Sequence, residues 1–126
     1  MIKLTKISNI GINQYGIIED AQTYIQNHMT EKIIMDDLIE KYPLSPAQFR
    51  RLFKQYTGFS PNQYYNHIRV QYAKELLLSK VYTVAEVSDV LGFNNAFYFS
   101  SIFKKIMGYP PSETSMHDNG PESNIK

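Results

Sequence analysis

The sequence predicts an all-α protein of about seven helices, arranged as a repeated pair of helices on either side of one long helix. Three observations carry this. Apolar residues recur at three- and four-residue spacing, and no stretch reads convincingly as a strand. Hydroxyl residues stand where helices start and glycines where they stop. A phrase is also written twice: FRRLFKQYTGFSP from Phe49 and FSSIFKKIMGYPP from Phe99 share Phe, Phe-Lys, Gly and Pro at the same offsets.

In chain order, Ile17, Ile18, Ala21, Tyr24, Ile25 and His28 mark one face of a first helix. His28 on that apolar side is expected as a packed residue. A short helix over about 36–42 presents Leu38 and Ile39 and ends at Pro43, which cannot continue it. Ser45-Pro46-Ala47-Gln48 then reads as a capping box with proline at the first helical position, opening a helix over 46–57 that Gly58 closes. Ser60-Pro61-Asn62-Gln63 repeats the device and opens the longest helix, to about Ser79, with Tyr65, Ile68, Tyr72, Leu76 and Leu77 as its stripe. Thr83-Val84-Ala85-Glu86 opens a helix over 84–91 that stops at Gly92, and a last one over 95–107 stops at Gly108. The expected organisation is a flexible segment 1–14, a first unit 15–59, a linker helix 60–80, a second unit 81–113 and a disordered tail 114–126.

Composition narrows the function classes. The chain has 126 residues and no cysteine, which excludes disulfides, cysteine-ligated zinc and a thiol nucleophile. No apolar run approaches the roughly 18 residues of a membrane span, and MIKLTKISNIG lacks the apolar core of a signal peptide. A cytoplasmic protein with no membrane partner is expected. His28, His67 and His117 have no metal-ligand spacing, and Ser45, Ser60 and Thr83 are already assigned as caps. Asp36 and Asp37 are adjacent on a helix and do not converge, and there is no glycine-rich phosphate loop. The expectation is no enzyme, no catalytic residue, no metal and no cofactor.

The net charge of +1 conceals an uneven distribution. Residues 1–40 carry three basic and six acidic side chains, residues 41–80 seven and one, and the remainder three and five. Basic charge therefore gathers in the middle third, as a polyanion-binding segment would have it.

A short helix, a tight turn and a second helix make a helix-turn-helix, whose second helix lies in the major groove of DNA. The sequence has this shape twice, at a register of 50 in the second helices and 49 at the turns, Pro43 against Gly92. In 46–57, Phe49, Leu52, Phe53 and Tyr56 share a face, which leaves Ala47, Arg50, Arg51 and Lys54 opposite. In the second copy Phe99, Ile102, Phe103 and Ile106 turn inward and Phe97, Ser100, Ser101 and Lys104 outward. Arg50 and Arg51 suit guanine edges and Lys54 a phosphate. Phe97 either touches thymine methyl groups or packs on a neighbour. The linker, about 19 residues at about 1.5 Å each, spans about 28 Å, near the roughly 34 Å between successive major grooves. The competing reading is a helical protein-protein interaction module without sequence-specific DNA binding, for which ten tyrosines and seven phenylalanines supply surface.

Over about residues 17–113 the sequence resembles the DNA-binding domain of the AraC/XylS family of bacterial transcription regulators. The matching residues are Val87, Leu91-Gly92-Phe93, Tyr98-Phe99, Phe103-Lys104-Lys105, Gly108 and Pro110-Pro111 in the second half. Ser45-Pro46, Phe49, Leu52-Phe53-Lys54, Thr57-Gly58, Tyr64, Ile68-Arg69 and Ala73-Lys74-Glu75-Leu76-Leu77 precede them. The resemblance implies two helix-turn-helix units on a linker helix, binding double-stranded DNA at asymmetric promoter-proximal sites and often contacting RNA polymerase. It implies base contacts from Ala47, Arg50, Arg51, Ala96, Phe97, Ser100 and Ser101, with Ser45, Lys54, Asn94, Asn95 and Lys104 on phosphates. The chain departs from the family at Ser101, where a long polar residue is frequent, at Ile39 and Ser88, where alanine is, and at Thr114-Ser115, where Tyr-Arg closes the domain. A nucleoid location follows, with DNA bound as a monomer and any dimerisation left to a further domain. No sensor domain precedes the match, so the chain is either a short stand-alone regulator or the C-terminal piece of a larger one.

Overall fold

The computed structural model describes residues 14–117, and all of their regular structure is helical. The expected flexible N-terminal segment, apart from Gln14, and residues 118–126 of the expected tail lie outside the described residues. The elements are α1 (Gln14–Asn27), α2 (Met35–Glu40), α3 (Pro46–Thr57), α4 (Pro61–Leu78), α5 (Val84–Val90) and α6 (Ala96–Met107). A 3-10 turn (Pro111–Glu113) and α7 (Thr114–His117) follow. The chain divides between Tyr65 and Asn66 into two compact units, so α4 begins in one and ends in the other.

Local chemistry sets the helix ends. Ser45 Oγ accepts from the Gln48 N–H at 3.2 Å. Ser60 and Gln63 exchange bonds of 3.2 and 2.9 Å, and Thr83 and Glu86 bonds of 3.1 and 2.9 Å. Each such cap satisfies a donor the helix leaves open and contributes about 1 kcal/mol. At the other ends Gly58 and Gly108 adopt φ of 87° and 90°, where a Cβ would crowd the following carbonyl.

In the first unit α1 buries Ile17, Ile18, Ala21 and Ile25, α2 buries Met35, Leu38 and Ile39, and α3 buries Phe49, Leu52 and Phe53. Tyr42, Phe49, Phe53 and Tyr64 form a chain of rings with centroids 5.5, 5.8 and 5.5 Å apart. Fully burying one such ring contributes about 1.5–3 kcal/mol. Buried phenols need partners, and each has one. Tyr42 donates to Asp20 at 2.8 Å, Tyr64 accepts from Gln26 at 2.7 Å, and Tyr65 donates to the Glu31 carbonyl while accepting from the Ile33 N–H at 3.2 Å. Burial, then the bond to Asp20, pushes the Tyr42 hydroxyl well above its ordinary pKa. His28 lies just past α1, half-buried, stacked on Tyr24 at 4.1 Å and 3.0 Å from Glu31.

In the second unit Val70, Ala73, Val87, Leu91, Phe93, Phe99 and Phe103 form the core. Phe99 sits between Phe93 and Phe103, with centroids 5.0 and 5.8 Å away. The single stripe expected on α4 differs from what the helix buries. Tyr64 and Tyr65 are buried in the first unit and Val70 and Ala73 in the second, whereas Ile68, Tyr72, Leu76 and Leu77 are half-buried. A helix that serves two cores has no single apolar face, and a stripe assumes one. Thr114, at the start of the stretch expected as a tail, is 2% exposed and opens the helical turn α7. Beyond it His117 stacks on Tyr109 at 3.8 Å.

Candidate nucleic-acid interface

Both units contain a short helix, a tight turn and a longer helix: α2 and α3 in the first, α5 and α6 in the second. In α3 the buried Phe49, Leu52 and Phe53 fix which side faces out. That side carries Ala47, Arg51 and Lys54, all exposed, and Arg50, half-buried. Arg51 and Lys54 make no ion pair among the described residues. Arg50 does: its Nη2 lies 2.6 Å from Asp36 Oδ1, which reaches it from the first turn of α2. Two adjacent arginines thus have different surroundings.

The α6 surface follows the same geometry with different chemistry. Phe99 and Phe103 are buried, so Phe97, Ser101 and Lys104 face out, with Ala96 and Ser100 half-buried. Phe97 is 86% exposed. Of the two expectations for it, packing on a neighbour fails and an uncovered apolar tip remains. Tyr98 and Val90 are also exposed large apolar residues of this unit, at 47% and 41%.

The residues ahead of each outward helix sit in caps. Ser45 caps α3 with its hydroxyl, but among the described residues Gln48 does not return the second bond of the expected capping box. Asn95 caps α6, its Oδ1 accepting from the Tyr98 N–H at 2.6 Å, while Asn94 is exposed. A hydroxyl three residues ahead of an amide or acid was the signal for the other caps, and Asn95 has neither.

Arg69 is the residue that charge counting misreads. It is 5% exposed and inside the second unit. Its Nη1 donates to the Leu91 carbonyl at 3.1 Å, its Nη2 to Asn66 Oδ1 at 2.9 Å, and its guanidinium lies 3.7 Å from the centre of the Phe93 ring. It therefore holds the turn between α5 and α6. Its place one position from the apolar Ile68 and four after Tyr65 was the available signal.

Among the described residues no cluster of His, Cys, Asp and Glu is fit to hold a metal ion, and no helix is long and apolar enough to cross a membrane.

Residues 38–116 match a family model described as a helix-turn-helix domain. Over 95 residues the chain is 32% identical to the MmsAB operon regulatory protein of Pseudomonas aeruginosa, a match covering 75% of this chain and 31% of that protein. The chain spans about a third of the length of the curated relatives it matches. The solved C-terminal domain of AraT, a response regulator from Geobacillus stearothermophilus, is similar at a TM-score of 0.72 and 33% identity, over 78% of this chain and 82% of that one. A transcriptional regulator with an AraC-type DNA-binding domain from Chromobacterium violaceum is similar at a TM-score of 0.68 and 28% identity, over 77% and 87%.

Proposed function

Because the chain belongs to the AraC/XylS family of helix-turn-helix regulators, we propose that it is the DNA-reading part of a bacterial transcription regulator, recognising a specific sequence in double-stranded DNA. The carrying observation is that each unit buries the aromatic side of its second helix and leaves the other side open, with Arg51, Lys54 and Lys104 exposed there. An open helix face with unpaired cations is what a major groove lined by phosphates receives.

In this reading α3 and α6 enter successive major grooves of a promoter-proximal site, and one chain suffices because it carries both. Arg51 reads a base edge, with Ala47 close to the bases. Ser45 and Lys54 meet phosphates beside α3, and Asn94, Asn95 and Lys104 beside α6. Asn95 keeps its Nδ2 donor for this after capping with Oδ1. Phe97 supplies apolar contact to thymine methyl groups, and Ala96, Ser100 and Ser101 allow close approach. The chain acts in the cytoplasm, with RNA polymerase as a further partner.

The test is selection of sites from random duplexes with the purified chain, followed by a salt titration. The expected result is a site of about two helical turns, one half more strongly specified, with affinity falling by about 0.9 log units per log salt for each phosphate neutralised. Phe97 favours the alternative of a protein-interaction module. That alternative wins if no sequence is enriched at low salt and any binding detected is insensitive to salt.

A further inference from the structure

Asp36 is an anomaly on the surface described above. Its side chain is 82% exposed, yet it binds the Arg50 guanidinium, Oδ1 to Nη2, at 2.6 Å. An exposed ion pair adds little to stability, because water and salt screen it. A carboxylate beside a face that meets phosphates also repels them. Its place in the first turn of α2 favours an acidic side chain through the helix dipole, but that modest effect does not require the bond to Arg50.

We propose that Asp36 is a specificity-positioning residue, whose carboxylate orients the Arg50 guanidinium for reading a base edge in the groove that α3 enters. This rests on the DNA-reading function proposed above. A guanidinium presents five N–H donors in a planar fork, and Asp36 engages one nitrogen. A parallel pair of N–H donors remains for guanine O6 and N7. A long, unheld side chain must surrender its rotamer freedom when it binds, and Arg50 has surrendered part of it beforehand. Its neighbour Arg51 makes no such ion pair among the described residues.

The negative charge then has a use. Specificity is a difference between affinities, and a repulsive group can supply it. Asp36 weakens attraction to phosphates on every sequence alike. The aligned Arg50 restores affinity only where its base is correct, so the ratio of specific to non-specific binding rises.

The experiment uses the full chain as wild type, Arg50→Ala, Asp36→Ala and Asp36→Asn. Each is titrated by fluorescence anisotropy, at one salt concentration, against the selected duplex, its single base-pair variants and a scrambled duplex. Arg50→Ala and Asp36→Ala are expected to flatten preference at the same base pair, by about tenfold. Asp36→Ala should also bind the scrambled duplex more tightly than wild type. Asp36→Asn, which keeps an acceptor oxygen, should fall between. The idea is overturned if Asp36→Ala keeps full preference at the Arg50 position. It is equally overturned if that variant gains the same factor on selected and scrambled duplexes, or if it lowers the melting temperature with preference intact. A wild-type chain that enriches no sequence overturns the DNA-reading function itself, and this proposal with it. Enrichment by wild type with unchanged preference in Asp36→Ala removes the Asp36 role alone.

Discussion

Arg51 and Ser101 each stand two residues after the first buried phenylalanine of an outward-facing helix, and both are exposed. The backbone setting is repeated and the side chain is not. If the arginine reads a base, Arg51→Ala should weaken binding to the selected site by about 1–3 kcal/mol and relax preference in one half of it. Ser101→Ala should change little. Gel-shift titrations of both variants on one duplex provide the check, and equal losses would remove the asymmetry. Ser88 makes a different residue-scale case. It is 1% exposed, and its hydroxyl has no hydrogen-bond partner among the described residues. A buried, unpaired polar group destabilises, so Ser88→Ala should stabilise the second unit by about 1 kcal/mol in urea unfolding. The outward positions were legible in the sequence because helical period alone puts Arg51 opposite Phe49 and Phe53. The Arg50–Asp36 pair was not. Its members are fourteen positions apart on different helices, and no periodicity joins them.

At the scale of elements, helix ends were the most legible feature because their chemistry is local. Ser45, Ser60 and Thr83 cap within three residues, and Gly58 and Gly108 need only their own backbone angles. The glycines also allow a clean measurement. A Cβ built at either would meet nothing within 4 Å, so Gly→Ala there tests conformation without steric contact. Each substitution should destabilise by about 1–2 kcal/mol, the penalty of a left-handed residue with a Cβ. The two losses should be similar, since φ is 87° at one and 90° at the other. Denaturant titrations of the two variants give both values. The buried side of α4 was less legible, because tertiary contacts from two cores decide it. Residues such as Arg69 are assigned by what they meet, a carbonyl at Leu91 and a ring at Phe93, both more than twenty positions away.

At the scale of the whole molecule, the protein is two units built on one scheme, each with its own core and its own outward helix. α4 is no inert spacer between them. Tyr64 and Tyr65 complete the first core, and Arg69, Val70 and Ala73 the second. A fragment beginning at Asn66 should therefore keep a cooperative thermal transition by circular dichroism, and one beginning at Ser79 should lose it. Similar melting of the two fragments would reduce α4 to a connector. The helix also limits how such proteins can be shuffled. Exchange between modules is usually tolerated at exposed loops, but a splice in the loop after α4 would strand Arg69 and its neighbours on the wrong parent. Units of this kind travel intact only when the crossover falls within the helix, near Tyr65, so each is inherited together with the stretch of α4 that completes its core.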